Sequence, residues 1–158
     1  MNNKGFTLIE LIVVIVILGI LAVTAVPKYI NLKADAQTST LQGVKAAIEG
    51  ASALVYGKSI VAGNQKLASS NDPKPTITLT DGTVLDIHYG YPKTDKDDWS
   101  ELLDLSSNDF LMINNADDDL IILPSPKTFA ELNQSHCRIL YQASALGEKP
   151  IITVFPCE

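Results

Sequence analysis

The sequence has few basic residues. Its 158 residues include 12 Lys and Arg against 18 Asp and Glu, so the formal net charge is −6. Such a chain repels nucleic-acid phosphates, and no stripe of Lys and Arg offsets the repulsion, so we expect no nucleic-acid partner. The length suits one domain with a modest core and one long additional element.

Residues that bind zinc or carry catalysis are scarce or unsuitably spaced. The two histidines, His88 and His136, are far apart and lack paired metal-ligand spacing, which disfavours zinc. No nucleophile-elbow motif accompanies the serines, so we predict that the chain is not an enzyme. Aromatic residues make up only 6% of the chain. Those at helical positions, Phe6 and Tyr29, suit packing better than electron transfer.

What the chain does contain is a long apolar run near its N-terminus. Phe6 to Val26 comprises 21 residues, and Glu10 is the only charged one. As an α-helix the run would rise about 31 Å, the thickness of the hydrocarbon core of a bilayer. Lys4 favours an N-in orientation, although Lys28 and Lys33 at the other end weaken that signal.

Three interpretations of this run compete. A plain membrane anchor conflicts with Glu10, because a carboxylate in hydrocarbon costs on the order of 3 kcal/mol. A secretory signal peptide cleaved after Ala25 is disfavoured by the charge within the run and by Pro27 just beyond the cut. The third interpretation places the cut between Gly5 and Phe6 and keeps the run in the mature protein.

The residues Gly5-Phe6-Thr7-Leu8-Ile9-Glu10, followed by LIVVIVILGILAVTAVP, resemble the class III signal of type IV pilins and type II secretion pseudopilins. The resemblance implies that a prepilin peptidase cuts after Gly5 and methylates the new N-terminal Phe6. It also implies that Glu10 pairs with the Phe6 amine of a neighbouring subunit. Such pairing would offset much of the cost of a carboxylate in lipid and would set the axial register of assembly. The alternative is that Glu10 only stabilises the start of its own helix.

Gly19 and Pro27 are the helix-weakening residues of this region. Pro27 removes a backbone donor, and Gly19 weakens a helix by about 1 kcal/mol relative to Ala. Because filaments of the family commonly lose helix between such a Gly and Pro, the resemblance implies flexibility here. A simple transmembrane kink is the alternative.

Beyond Pro27 the apolar residues recur at intervals of three and four, which predicts an amphipathic helix. The apolar face consists of Leu41, Val44, Ile48, Ala51 and Val55. Gly57 and the segment 61–64 suggest the end of the helix, so the predicted helix runs from about Phe6 to Tyr56.

The remainder predicts mostly strands. Thr76 to Thr80 and Thr83 to Tyr89 flank Asp81-Gly82, a strong hairpin signal. Three more strands are predicted at 120–123, 138–142 and 151–155, and a short helix at 99–105 that starts at Asp97 or Asp98. The predicted fold class is α+β, with a long N-terminal helix packed on an antiparallel β-sheet head.

The predicted organisation has four parts. A leader occupies residues 1–5, a hydrophobic transmembrane and assembly helix 6–27, the amphipathic half of the helix 28–57, and a globular head 58–158. Cys137 and Cys157 enclose the last two predicted strands. They would form one bridge outside the cytosol and remain two thiols inside it. The resemblance implies a bridged C-terminal loop that lies on the filament surface and contacts partners; a purely structural staple is the alternative.

Two acidic segments, 95–98 and 114–119, could supply oxygen ligands for calcium. Major pseudopilins use a calcium site in this part of the chain. Neither segment has EF-hand spacing, so we expect solvated loops and no cofactor. A calcium site at Asp117, Asp118 and Asp119 is the lesser alternative.

The segments LQGVKAAIEGASALVYGKSIVAG (41–63) and YGYP (89–92) are similar to pilins of the mannose-sensitive haemagglutinin (MSHA) type. The resemblance implies a structural subunit that waits in the inner membrane as a single-pass, N-in protein. An inner-membrane assembly platform would then polymerise it with its own copies into an extracellular pilus for attachment to a surface or host-cell receptor. The alternative is a type II secretion pseudopilin that forms a periplasmic pseudopilus.

Overall fold

The computed structural model of the chain describes residues 7–125 and 136–158. The predicted leader at 1–5 and the predicted processing residue Phe6 lie outside these ranges. In chain order the elements are α1 (Leu8–Ala62), β1 (Thr76–Thr78), β2 (Val84–His88), β3 (Tyr91–Pro92), α2 (Lys96–Leu102), β4 (Phe110–Asn114), β5 (Leu120–Pro124), β6 (Arg138–Gln142) and β7 (Ile151–Phe155). The predicted α+β fold class is confirmed.

Helix α1 is 55 residues long and ends later than the sequence predicts. The helix continues through Gly57 to Ala62, so the end predicted at Tyr56 is wrong. Val55 and Ser59 on either side of Gly57 are buried against the head, and this packing offsets the weak helix propensity of glycine. Gly63 ends the helix because it adopts the left-handed conformation, with φ +73°.

The predicted apolar face of the second half of α1 is confirmed. Leu41, Val44, Ile48 and Val55 are buried, and Ala51 packs against the core while partly exposed. The main core joins this face to α2 and to the strands after it, through Trp99, Leu120, Ile122, Ile139 and Tyr141. A smaller core joins Val55 to Ile77, Leu85 and Ile87.

The described part of the head contains two antiparallel sheets where the sequence predicts one. The first has the order β1-β2-β3 and the second β4-β5-β6-β7. The predicted hairpin of β1 and β2 is confirmed, with Ile77 opposite Leu85. The predicted strands that correspond to β5, β6 and β7 are also confirmed, whereas β3 and β4 were not predicted.

The short helix α2 begins three residues earlier than predicted, at Lys96. Its N-cap is Asp95 and not Asp97 or Asp98, because the extended backbone of Asp95 lets its Oδ1 accept the Asp97 N–H at 2.8 Å. Asp97 and Asp98 instead occupy the first turn, where negative charge is favourable. The buried Trp99 fixes the helix to the core, and its indole N–H donates to Lys93 O at 2.7 Å.

Candidate functional site

The first turn of α1 is closed by a reciprocal pair of side chains, Thr7 and Glu10. The Thr7 N–H donates to Glu10 Oε2 at 2.8 Å, and the Thr7 hydroxyl donates to the same oxygen at 2.6 Å. The Glu10 N–H in turn lies 3.3 Å from Thr7 Oγ1. This is a capping box, which satisfies backbone donors that have no partner within the helix. Glu10 therefore does stabilise its own helix start.

An exposed apolar span follows this cap. Within the described residues, Leu8–Val26 is a single stretch of 19 residues that is long and apolar enough to cross a membrane, and none of it is buried against the head. An exposed apolar surface of this length indicates contact with lipid or with other apolar helices. Glu10 carries the only charge in this span.

The backbone remains helical at both residues that the sequence marks as weak. Gly19 lies within α1, and a Cβ added there would meet no atom within 4 Å. Pro27 also lies within α1, close to the end of the apolar span. A loss of helix between them in an assembled state stays a prediction.

The motif at residues 89–92 joins the three-stranded sheet to α1. The Tyr91 ring stacks on the Tyr56 ring of α1, with centroids 4.6 Å apart and planes inclined by 15°. Gly90 passes so close to α1 that a Cβ would lie 2.8 Å from Ser59 Oγ. Pro92 O accepts the Tyr141 hydroxyl at 2.7 Å, which links the two sheets. Burial raises the pKa of Tyr141 well above its usual range, so this phenol stays protonated.

The predicted disulfide is present between Cys137 and Cys157. The Cys137 N–H donates to Pro156 O at 2.9 Å, and the Cys157 N–H donates to the Thr38 hydroxyl oxygen of α1 at the same distance. The bridge and this hydrogen bond hold the C-terminal tail against α1. The disulfide therefore acts as a structural staple of the C-terminal tail. A role of this loop in contacts with partners stays a prediction.

The acidic segment after β4 forms a hairpin turn. Asn115 Oδ1 accepts the Asp117 and Asp119 N–H groups at 3.0 and 2.7 Å. The Asp119 carboxylate accepts Gln142 Nε2 at 3.2 Å, which ties the turn to β6. Over residues 7–125 and 136–158, no cluster of three or more His, Cys, Asp or Glu side chains is placed to hold a metal ion.

Comparison with known proteins finds a family match in the N-terminal region. Residues 1–26 match the family model described as "Prokaryotic N-terminal methylation motif". A fimbrial protein of Pseudomonas aeruginosa is 41% identical over 88 residues, which cover 53% of each chain. The type IV narrow pilus major component PilA5 of Thermus thermophilus is 42% identical over 71 residues, 44% of this chain and 61% of that protein. Over the matched residues, the chain is similar to fimbrial proteins and type IV pilins.

The similarity covers part of the chain, which spans about half the length of the curated relatives it matches. Fimbrial protein Q of Moraxella bovis, for example, is 43% identical over 84 residues, 52% of each chain. No solved structure matches the chain significantly. The MSHA subtype is not distinguished by these relatives.

The residues predicted to act in assembly and in the disulfide fall into two separate places. Glu10 lies at the start of α1, with Gly19 and Pro27 farther along the same helix, while Cys137 and Cys157 lie in the head. Sequence reasoning missed two contributors, Thr7 and Thr38. The first could have been found, because Thr7 and Glu10 have the spacing of a capping box. The second could not, because Thr38 and Cys157 are 119 residues apart.

Proposed function

We propose that the chain is a structural subunit of an MSHA-like type IV pilus, cut by prepilin peptidase between Gly5 and Phe6 and methylated at Phe6. The observation that carries the proposal is the exposed apolar span with a single carboxylate in its first turn, attached to a folded, disulfide-bridged head. Its mechanism is assembly and not catalysis. The named fimbrial and pilus relatives support the same class of function.

Before assembly, the span would lie in the inner membrane with the N-terminus on the cytoplasmic side. The disulfide supports placing the head outside the cytosol, because such bridges persist in oxidising compartments. In the filament, the spans of neighbouring subunits would pack together and replace lipid around one another. The heads would then form the outer surface.

The geometry of Glu10 supports two successive roles for one carboxylate. Both hydrogen bonds from Thr7 reach Oε2, and among the described residues no hydrogen bond reaches Oε1. Oε1 is therefore the atom that a neighbouring Phe6 amine would contact without opening the cap. A carboxylate in an apolar region is stabilised by such a charged donor, so docking would favour one axial register.

The partners that follow are other copies of this chain, the prepilin peptidase and an inner-membrane assembly platform. Attachment of the pilus to a surface or a host-cell receptor is the last step of the proposal. Deletion of the protein should reduce attachment of cells; unchanged attachment would remove adhesion from the proposed function.

The alternative is a type II secretion pseudopilin, which would have the same N-terminal features in a short periplasmic structure. One experiment separates the two. Cells are sheared mechanically, and the released protein is analysed by intact mass and N-terminal sequencing. We expect a chain that starts at methylated Phe6 and is two hydrogens lighter because of the Cys137–Cys157 bridge.

Other outcomes of this experiment are equally informative. A processed chain that stays with the membrane and is absent from the sheared fraction would favour the pseudopilin. A chain that starts at Val26 would contradict both and would indicate a secreted soluble protein.

A further inference from the structure

The connection between α1 and β1, residues 64–75, has neither helix nor strand and is held to the head by individual hydrogen bonds. We call it the α1–β1 loop. The Tyr89 N–H donates to Leu67 O at 2.9 Å, and the Ser69 N–H donates to His88 Nδ1 at 2.9 Å. We propose that His88 is a pH-sensitive latch, which holds the Ser69 segment of this loop against β2 when neutral and releases that segment when protonated.

The hydrogen bond from Ser69 determines which form of His88 the fold requires. A backbone N–H can only donate, so Nδ1 must present its lone pair, and the proton of the neutral ring must be on Nε2. The Ser69 hydroxyl also lies 2.9 Å from Nδ1 and can reverse its role by rotation. The Ser69 N–H cannot. Protonation of Nδ1 therefore places two donors against each other and removes this attachment of the loop.

The surroundings of His88 offer little support for a charged ring. Partial burial lowers the pKa of His88, and the positive charge of Lys93, just beyond β3, lowers it further. Asp86 lies two residues earlier on the same face of β2, but its carboxylate is 4.0 Å from Lys74 Nζ and 3.9 Å from Lys93 Nζ. The Tyr89 ring packs 4.3 Å from the imidazole, centroid to centroid. The ring is thus neutral near pH 7, and it becomes charged only in acid.

Release of the loop would change an open cavity on the head. The loop supplies Gln65 and Lys66 to the wall of a cavity of about 430 Å³. Tyr89 and Tyr91 form another part of the wall, and residues 146–148, between β6 and β7, line it as well. The Ser144 hydroxyl, from the same connection, donates to His88 O at 3.0 Å. That bond uses the backbone of His88, so it persists when the ring is protonated, and the change is confined to the loop side of the cavity.

The test is amide hydrogen exchange of the full chain in detergent micelles between pH 7.5 and 5.0. Rates are expressed as protection factors, so that the intrinsic pH dependence of exchange is removed. As the pH falls below the pKa of the ring in the released loop, we expect the protection of the Ser69 amide to fall by up to about tenfold per pH unit, because each opening then takes up one proton. The fall should level off below the lower pKa of the latched ring. Amides of β6 should keep their protection over the same range.

Two variants separate the latch from general acid sensitivity. In His88→Asn, the side-chain oxygen can take the position of Nδ1 as an acceptor and does not titrate, so the protection of Ser69 should become independent of pH. His136→Asn removes the other histidine, which lies 3.5 Å from Glu158, and should leave the pH dependence of Ser69 unchanged. Should His88→Asn not fold, the ¹⁵N shifts of the wild-type ring at pH 7.5 replace it, because they report which nitrogen carries the proton.

The expected ring signal at pH 7.5 is that of the neutral form with the proton on Nε2. A constant protection factor for Ser69 from pH 7.5 to 5.0 would overturn the latch. The same fall in protection in His88→Asn, or a proton on Nδ1 at pH 7.5, would also overturn it.

Discussion

At Gly90 the chain meets two separate constraints. Its φ is +87°, in the left-handed region that L side chains rarely adopt. A Cβ there would also lie 2.8 Å from Ser59 Oγ and 2.9 Å from Tyr56 Cδ2. Because Tyr56 is already stacked on Tyr91, its ring cannot give way without disturbing the contact between the sheet and α1. Gly90 is thus required both by its backbone and by its packing.

We expect Gly90→Ala to lower the free energy of unfolding by about 3 to 4 kcal/mol, the sum of backbone strain and overpacking. Gly147→Ala is the matched control, since Gly147 has φ +82° and no atom within 4 Å of its added Cβ. It should lose only about 1 to 2 kcal/mol from backbone strain. Urea unfolding in detergent micelles can be followed through Trp99, the single tryptophan, which is fully buried. Equal losses in the two variants would contradict the packing role.

The hydroxyl of Tyr141 donates the hydrogen bond that links the two sheets. Tyr141→Phe keeps the ring against Trp99 but leaves the carbonyl of the buried Pro92 without its donor. We expect a loss of about 1 to 3 kcal/mol in the same unfolding experiment. Tyr29→Phe serves as control, because Tyr29 is 73% exposed and should be neutral. A neutral Tyr141→Phe would mean that Pro92 O finds water or another donor.

At the scale of elements, the structure follows the sequence where the signal is local. The spacing of apolar residues and the turn residues alone predicted three features: the apolar face of α1, the Asp-Gly hairpin, and the strands β5 to β7. The end of α1 was not predicted, because burial of Val55 and Ser59 carries the helix past Gly57. Strand β4 was missed because its residues do not alternate in burial: only Leu111 and Asn114 are exposed, and the other three are half-buried.

The Cys137–Cys157 disulfide and the hydrogen bond from the Cys157 N–H to Thr38 together fix the C-terminal tail to α1. The bridge closes a loop with a sequence separation of 20. In the chain-entropy model, its loss in the Cys137→Ser, Cys157→Ser double variant costs about 3 kcal/mol. Thr38→Val keeps the bridge and removes the acceptor of the Cys157 N–H, so it should cost only about 1 kcal/mol. Urea midpoints of the three proteins test this order, and a double variant no less stable than Thr38→Val would refute it.

The described part of the head buries its apolar side chains in its own cores, whereas the apolar span of α1 has no buried residues. The described head has its own cores and a disulfide, whereas Leu8–Val26 exposes its apolar side chains along its entire length. The sequence predicts this division, because one half of α1 is apolar all round and the other half is amphipathic. The spacing of Thr7 and Glu10 could also have indicated the cap, but it could not show that both bonds from Thr7 reach the same oxygen, Oε2, because that depends on the side-chain rotamers.

The two roles of Glu10 can be separated in cells that produce only one variant. Glu10→Gln keeps an acceptor for Thr7 but removes the charge, and Thr7→Ala keeps the charge but weakens the helix start by about 1 kcal/mol. If Glu10 sets the register by binding a neighbouring amine, Glu10→Gln should still be cleaved and should remain in the membrane. Its yield of sheared filaments should fall at least about tenfold, which corresponds to about 1.4 kcal/mol for each subunit added. Glu10→Ala, which lacks both charge and acceptor, should also be cleaved and should assemble no better.

Thr7→Ala should assemble nearly normally, because its carboxylate remains available to a neighbour. The opposite pattern, with filaments from Glu10→Gln and none from Thr7→Ala, would mean that the cap is the function of Glu10 and that register is set elsewhere. Normal yields from both variants would leave neither role necessary for assembly. Immunoblots of sheared and membrane fractions, with processing checked by intact mass, distinguish these patterns, because a subunit that is cut but not assembled accumulates in the membrane.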